Sequence, residues 1–247
     1  MKSARGQLRR VANTIKRSLR RPSLSAPDPE STDNIWKEVF VNKIYDSDYL
    51  DLRKNDVDVV MDVGSNIGIF AAWIARECRP KVILCYEASP VTFAYLESNV
   101  NRLGDIYEGT DFVAVNAAVS DTSGSMRTIY HMGDKTAAST MMVYGREREG
   151  IPYEVESVTI SSQMEERGIS VIDLLKIDVE GHHMEVLRGI DDEDFFKIKR
   201  IVMECDWIPE GAASHHDVKR FLESKGFSVV CDDPAKTNNV ILFGRRT

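Results

Sequence analysis

The sequence predicts a doubly wound α/β fold, a mostly parallel seven-stranded sheet with an antiparallel hairpin at one edge. Short apolar segments alternate regularly with helical segments, which is the pattern of parallel βαβ units. Two of the apolar segments, Val171–Ile177 and Arg200–Cys205, are almost continuously hydrophobic, as expected for strands covered on both faces. The last two segments, Phe227–Cys231 and Val240–Gly244, are expected to close the sheet as the antiparallel hairpin.

The first half of the sheet is predicted from three strands separated by two helices. The strands are Asp58–Asp62, Lys81–Glu87 and Phe112–Val119, and the first helix is Ile67–Cys78. The second helix is predicted from the residues at its two ends. Ser89 is a favourable N-cap residue and Pro90 is favourable at the first helical position. Gly104 can adopt the left-handed conformation that often ends a helix. A later helix is expected to start at Ser214, where Asp217 completes a capping box.

The N-terminal region differs in charge from the rest of the chain. Residues 1–21 contain eight Lys or Arg and no acidic residue, although the whole chain has a net charge of -7. Their helical spacing predicts a basic amphipathic helix. This helix would make weak contact with an anionic membrane surface, dock on a partner or serve as an Arg-rich targeting segment. The alternative is a solvated arm. Residues 22–33 are rich in Pro and Ser and predict a linker. We therefore expect residues 1–33 to form an arm and linker and residues 34–247 to form one domain, with a short helical segment from Ile35.

Charge and cysteine content exclude several classes of protein. The acidic body argues against a broad nucleic-acid-binding surface, which needs clustered Lys and Arg to neutralise phosphates. The cysteines do not have zinc-site spacing and are typical of reduced thiols in a cytoplasmic protein; they are Cys78, Cys85, Cys205 and Cys231. No apolar run approaches the roughly 18 residues of a membrane span. We expect a cytoplasmic protein that is peripheral to a membrane only through its arm.

The most informative segment is the turn after the first strand, Asp62-Val63-Gly64-Ser65-Asn66-Ile67-Gly68. Gly64 and Gly68 allow the backbone to approach a ligand, and the N–H groups that begin the next helix favour a carboxylate or phosphate. Glu87 ends the second strand at about the spacing of an acid that binds a ribose. Together these features predict a nucleotide-like cofactor, although Glu87 has a second interpretation as an exposed strand-end carboxylate.

A nicotinamide cofactor is the second interpretation of this turn. The dinucleotide pattern G-x-G-x-x-G is not met, because Asn66 stands at the middle glycine and the third glycine comes one position early. An NAD-dependent oxidoreductase is therefore the weaker alternative.

Three motifs in this order resemble the FkbM family of S-adenosylmethionine-dependent methyltransferases. They are the D-V-G-x-N-x-G turn at 62–68, the E-x-x-P element Glu87-Ala88-Ser89-Pro90, and the K-I-D-V-E-G element Lys176-Ile177-Asp178-Val179-Glu180-Gly181. The resemblance spans roughly residues 58–206. It implies a class I methyltransferase (Rossmann-like) fold and methyl transfer, usually to a hydroxyl of a sugar or secondary metabolite. Where similar proteins often have Ala-Glu after the last motif, this chain has His182-His183, so the acceptor is left open.

The resemblance also implies a donor site. The turn residues would hold the methionine part of S-adenosylmethionine, Glu87 would bind the ribose hydroxyls, and the segment after the third strand would border the adenine. The expected cofactor-binding residues are Asp62, Gly64, Ser65, Asn66, Gly68, Glu87, Ala88, Ser89, Asn116, Ala117, Ala118 and Asp178.

Catalytic candidates follow the central strands, because ligands of open α/β sheets collect at the carboxyl ends of strands. Transfer to a hydroxyl needs a group that accepts its proton. We expect Asp178 at the transfer centre, with Glu180, His182 and Glu204 as candidates for the base or for acceptor binding. The alternatives are that Glu180 caps a helix and that Glu204 pairs with Lys176 or Arg200. No metal is predicted, although a site made from Asp178, Glu204 and a histidine is a further alternative.

Two extended segments, Ser125–His131 and Tyr153–Ile160, are interpreted as an insertion over the sheet around a loop at 133–150. The region has apolar and flexible side chains suited to enclosing a small-molecule acceptor; they are Met126, His131, Met132, Met141, Met142 and Tyr144. We expect a lid, and the alternatives are a simple cover for the sheet or a homodimer contact. A cofactor-binding protein of this fold without turnover also remains as an alternative function.

Overall fold

The protein has the predicted doubly wound α/β architecture. The computed structural model describes residues 21–52, 57–131, 150–205, 213–232 and 240–246. The strands are β1 (Val59–Val63), β2 (Val82–Tyr86), β3 (Asp111–Val115), β4 (Ala118–Val119), β5 (Met126–His131), β6 (Ile151–Val158), β7 (Leu174–Ile177), β8 (Arg200–Cys205), β9 (Phe227–Cys231) and β10 (Val240–Arg246). The helices are α1 (Pro29–Trp36), which continues as a π-helical stretch (Lys37–Asn42), α2 (Ile69–Cys78), α3 (Pro90–Ile106), α4 (Ile160–Glu166), α5 (His183–Arg188), α6 (Asp192–Phe195) and α7 (His215–Ser224).

Seven strands form the main sheet in the order β3-β2-β1-β7-β8-β10-β9. Strands β3, β2, β1, β7 and β8 are parallel to their neighbours, and β10 is antiparallel to both β8 and β9. In the centre, Met61 of β1 is in register with Leu84 of β2 and Leu175 of β7. The parallel strands therefore end at one edge, where a ligand site is expected.

Each face of this sheet is covered by its own set of helices. Strand residues point alternately to the two faces, so Val60 packs with α2 and α3 whereas Met61 packs with α4 to α7. We call these the α2 face and the α7 face. Helix α2 is buried along most of its length because its sequence, from Ile69 to Ala75, is apolar on all sides.

The insertion forms a small second sheet in the order β4-β6-β5. Strands β5 and β6 are antiparallel, with Ile129 opposite Tyr153. The two extended segments that were predicted there are confirmed. Most of the predicted lid, at residues 132–149, and the basic arm, at residues 1–20, lie outside the described residues. In the ranges described, no helix has the length and apolarity needed to span a bilayer.

Three local predictions were wrong. Helix α3 does not end at Gly104 but continues to Ile106, and the nearby left-handed glycine is Gly109. The predicted strand 112–119 is divided, because the chain leaves β3 after Val115 and pairs with β6 as β4. Residues 22–33 were expected to be an irregular linker, but α1 begins at Pro29.

The rest of that segment also packs on the domain. Asp28 caps α1 by accepting a hydrogen bond from the N–H of Glu30. The backbone N–H of Ser25 donates to Asn99 Oδ1 at 2.7 Å, and Asn99 Nδ2 donates to the Ser25 carbonyl at 2.8 Å. Asn99 is fully buried on α3, so these bonds fix the segment to α3.

Gly64 lies so close to the backbone of Asp178 that no other residue fits at this position. It has φ +76°, and a Cβ atom at this position would lie 1.7 Å from the carbonyl oxygen of Asp178. Because any side chain would collide with the end of β7, the glycine permits the close approach of the two central strands.

We expect Gly64→Ala to lower the free energy of unfolding by about 3 kcal/mol, since it combines a strained backbone with a backbone clash. Gly104→Ala is the matched control. Gly104 is helical and exposed and has no neighbour within 4 Å of an added Cβ, so alanine should raise the unfolding free energy by roughly 0.5–1 kcal/mol. Urea unfolding measures both. Equal stabilities for the two variants would contradict the close approach of Asp178.

Candidate functional site

A cleft opens at the carboxyl ends of β1, β2 and β7. Its walls contain several of the residues that the sequence predicted for a cofactor site together with apolar residues of the insertion. The lining residues are Val63, Gly64, Asn66, Tyr86, Glu87, Ala88, Ala117, Ala118, Val119, Ile129, Asp178, Val179 and Glu180. The structure thus brings the three sequence motifs together at one place, although they are far apart in the chain.

Glu87 is fixed in the cleft by the backbone. Its Oε2 accepts a hydrogen bond from the N–H of Asn66 at 3.0 Å, and its Oε1 accepts one from the N–H of Ser89 at 2.9 Å. The residue is only 8% exposed. Burial raises the pKa of the Glu87 carboxyl to about 7, although the two N–H donors oppose this effect. The interpretation of Glu87 as an exposed strand-end carboxylate was wrong.

The glycine turn holds its shape through internal bonds. The N–H groups of Gly64 and Ser65 both donate to the carbonyl of Tyr86, at 3.0 and 2.9 Å. Ser65 Oγ donates to the carbonyl of Asp62 at 2.7 Å, and Gly68 has φ +91° immediately before α2. Ser65 and Gly68 therefore shape the turn, whereas Gly64 and Asn66 line the cleft.

Polar side chains also hold the Glu87–Ala88 segment in place. Asn116 Nδ2 donates to the carbonyls of Glu87 and Ala88, at 2.8 and 3.1 Å. Ser89 is fully buried, and its Oγ caps α3 by accepting from the N–H of Thr92 at 3.3 Å. Ser89 and Asn116 thus position the wall of the cleft, and the small side chains of Ala117 and Ala118 line it.

A buried ion-pair cluster lies on the α2 face behind the cleft. Asp62 and Lys176 are in register on neighbouring strands, and Lys176 Nζ lies 3.2 Å from Asp62 Oδ1 and 3.3 Å from Asp178 Oδ2. The same ammonium donates to the Gly64 carbonyl at 2.7 Å. Burial disfavours the charged form of Lys176, but the charges of Asp62 and Asp178 outweigh it and raise the pKa of this ammonium. Asp62 is therefore behind the cleft, and its pKa is raised by burial against the effect of Lys176.

Tyr45 connects Asp178 to Glu204. Its hydroxyl donates to Glu204 Oε2 at 2.8 Å and lies 3.3 Å from Asp178 Oδ2. Glu204 is near the end of β8 and, by strand alternation, points to the α2 face like Lys176. The structure therefore places Asp178 and Glu204 together, with Asp178 in the wall of the cleft.

The other two catalytic candidates have different positions. Glu180 lines the cleft in a left-handed conformation, with φ 47°. His182 is buried and does not line the cleft; its Nε2 is 3.0 Å from Ser120 Oγ and its Nδ1 is 3.7 Å from Glu185. Burial lowers the pKa of His182. Among the described residues, no group of three His, Cys, Asp or Glu side chains is arranged to hold a metal ion.

Sequence reasoning missed Tyr45 as a site residue, as well as the apolar wall formed by Val119 and Ile129. Lys176 had a detectable signal, because a lysine within the apolar run of β7 needs a buried partner. Tyr45 had none, since the two acidic residues that its hydroxyl contacts are more than a hundred residues away in the chain.

Comparison with known proteins relates this chain to a family of methyltransferases. The profile of the methyltransferase FkbM domain matches residues 62–229. The 31-O-demethyl-FK506 methyltransferase FkbM of Streptomyces tacrolimicus is 30% identical over 222 residues, which cover 81% of this chain and 84% of that protein. Methyltransferase sdnD of Sordaria araneosa is 28% identical over 80% of this chain and 83% of its own length. The hexuronic acid methyltransferase AglP of Haloferax volcanii is 27% identical over 65% of this chain and 62% of its own length.

Solved structures support the fold. A methyltransferase FkbM from Methylobacillus flagellatus superposes with a TM-score of 0.52 at 12% identity, covering 95% of this chain and 59% of that one. Magnesium protoporphyrin IX methyltransferase from Synechocystis, solved with bound S-adenosylmethionine, superposes with a TM-score of 0.50 at 12% identity. This superposition covers 95% of this chain and 90% of that one. The class I methyltransferase fold is thereby confirmed, and the nicotinamide alternative has no support. The chain belongs to the FkbM family of methyltransferases, whose methyl donor is S-adenosylmethionine.

Proposed function

We propose that this protein transfers the methyl group of S-adenosylmethionine to a hydroxyl oxygen of a sugar or hydroxylated secondary metabolite. One observation carries the proposal. Glu87, whose carboxylate is fixed by the backbone, and Asp178 line the same cleft, and they follow β2 and β7, the two strands that flank β1 in the sheet. The first suits a ribose, and the second is available for a reacting hydroxyl.

The cleft has the chemical groups that the donor needs. Glu87 would accept hydrogen bonds from the two ribose hydroxyls, and the turn at Gly64 and Asn66 would receive the methionine part. The small and apolar side chains of Ala117, Ala118, Val119 and Ile129 would border the adenine. Asp62, Ser65, Gly68, Ser89 and Asn116 would support these contacts from behind, through the hydrogen bonds and ion pair described above.

The chemical work left to the protein is alignment and proton removal. When bound, the donor supplies an electrophilic methyl group on a sulfonium. The acceptor hydroxyl must be aligned with it, and its proton must pass to a carboxylate oxygen as the new carbon–oxygen bond forms. We assign proton acceptance to Asp178, which lines the cleft, with Glu204 held next to it by Tyr45. Glu180 lines the same wall and would contact the acceptor. His182 lies behind Ser120 and is the weakest candidate.

The acceptor class is supported by what the relatives are named for. One relative acts on 31-O-demethyl-FK506, and another is a hexuronic acid methyltransferase. Both names describe small molecules that carry hydroxyl groups, so a small hydroxylated acceptor is proposed here. The direct test incubates the full chain with S-adenosylmethionine and separate panels of neutral sugars, hexuronic acids, macrolides and amines. Formation of S-adenosylhomocysteine together with an O-methylated product supports the proposal, and methylation of the amines alone would overturn the choice of oxygen.

Asp178→Asn should lower the rate of methyl transfer by about 100-fold or more, because general-base catalysis commonly contributes at least that much. The affinity for S-adenosylhomocysteine, measured by calorimetry, should change little since asparagine has the same shape. Asp105→Asn, at an exposed position of α3, is the matched control and should keep wild-type turnover. Full turnover in the Asp178 variant would remove this residue from the mechanism.

The affinity for S-adenosylhomocysteine should depend on pH through Glu87. The pKa of its carboxyl is raised to about 7, so the ionised form, which accepts hydrogen bonds best, dominates at pH 8 and is the minority at pH 6. We expect the dissociation constant to rise about tenfold from pH 8 to pH 6. Glu87→Gln should bind weakly at both pH values and lose this dependence.

Calorimetry at fixed ionic strength measures the effect. Glu97→Gln, which removes an exposed carboxylate from α3, serves as the control and should titrate like the wild type. A pH dependence that persists in Glu87→Gln would show that another group is responsible.

A further inference from the structure

Tyr45 lies before the residues that match the family profile, which are 62–229. It follows the π-helical stretch Lys37–Asn42, where Lys43 adopts a left-handed conformation with φ 55°. The N–H of Ile44 donates to the carbonyl of Glu38 at 3.2 Å and closes this turn. The turn directs Tyr45 into the α2 face, beside two carboxylates of the candidate site.

The ring of Tyr45 is held by packing, so its hydroxyl has a defined position. The residue is 4% exposed. Its ring meets that of Phe70 edge-on, with 5.3 Å between centroids, and Lys176 Nζ lies 5.9 Å from the Tyr45 centroid. The hydroxyl is therefore placed by the ring and does not depend on its own hydrogen bonds for position.

One phenolic hydrogen lies between two carboxylates. The shorter contact, 2.8 Å, is to Glu204 Oε2, and the longer, 3.3 Å, is to Asp178 Oδ2. The pKa of Tyr45 is raised by burial and by the negative charges of Asp178 and Glu204. The hydroxyl therefore stays protonated and is a donor throughout the range in which the enzyme is folded and active.

The charges around Tyr45 are mostly negative. Asp62 and Glu38 add negative charge near Asp178. Lys176 forms ion pairs with Asp62 and Asp178 and donates a hydrogen bond to the Gly64 carbonyl. The Tyr45 hydroxyl supplies Glu204 with a donor that adds no charge.

We propose that Tyr45 is a positioning residue for methyl transfer, whose hydroxyl holds Glu204 next to Asp178 at the wall of the cleft where the donor methyl would lie. The inference rests on the proposed function, in which Asp178 and Glu204 stand at the transfer point. Tyr45 acts through Glu204 and is not itself assigned contact with the substrate.

The test compares two ligands that differ at the reacting centre. S-adenosylmethionine carries a positive sulfonium and S-adenosylhomocysteine a neutral thioether, whereas their ribose and adenine are the same. Any pH dependence from Glu87 therefore cancels in the ratio of their dissociation constants. Calorimetric titrations of the full chain at pH 8 should show that wild type prefers the sulfonium ligand by about tenfold, because the carboxylates next to Tyr45 attract its positive charge.

Tyr45→Phe keeps the ring and removes the hydroxyl. The preference for the sulfonium ligand should fall about threefold, because the two carboxylates lose the hydrogen bond that fixes their position next to the sulfonium. Tyr49→Phe is the matched control, since it removes a hydroxyl that donates at 2.7 Å to the Ser228 carbonyl, away from the cluster. Its preference should equal that of wild type.

A double-mutant cycle with Glu204→Gln identifies the route of the effect. Adding Tyr45→Phe to Glu204→Gln should leave the preference at the value of the single Glu204 variant. A Tyr45→Phe preference identical to wild type, or an unchanged Tyr45 effect in the Glu204→Gln background, would overturn the inference while leaving the proposed function intact. A wild-type protein that binds the two ligands equally well would overturn both, because the carboxylates would then not face the sulfonium.

Discussion

The ammonium group of Lys176 joins the three segments on which the site depends. It pairs with Asp62 of β1 and with Asp178 after β7, and it donates to the carbonyl of Gly64 in the glycine turn. Burying Lys176 and Asp62 is costly, and the cost is offset by the attraction between their opposite charges, which lie 3.2 Å apart. Removing the lysine would leave the buried carboxylate of Asp62 without its cation.

The two acidic residues that line the cleft have different partners. Asp178 Oδ2 lies 3.3 Å from the ammonium of Lys176 and 3.3 Å from the hydroxyl of Tyr45. The carboxyl of Glu87 instead accepts hydrogen bonds from two backbone N–H groups. Burial outweighs their effect and raises the pKa of the Glu87 carboxyl to about 7.

Local sequence patterns were reliable where local interactions decide the structure. The caps at Ser89 and Ser214 were predicted correctly, because each depends on residues within three positions. Gly104 was misread because glycine is a common helix end, yet α3 continues while its apolar side chains still contact the core. Strand β3 ends at Val115, earlier than predicted, since β4 has its hydrogen-bonding partner in β6 and not in the main sheet.

The sequence by itself determined the fold class, the alternation of strands and helices, and the three motifs that line or support the cleft. These follow from hydrophobic periodicity and from short spacings, which are properties of neighbouring residues. The tertiary structure decided which carboxylates meet, that Gly64 is needed for the Asp178 carbonyl, and that Tyr45 reaches Glu204. Such contacts join residues more than a hundred positions apart, and they exist only once strand order and register bring the chain segments together.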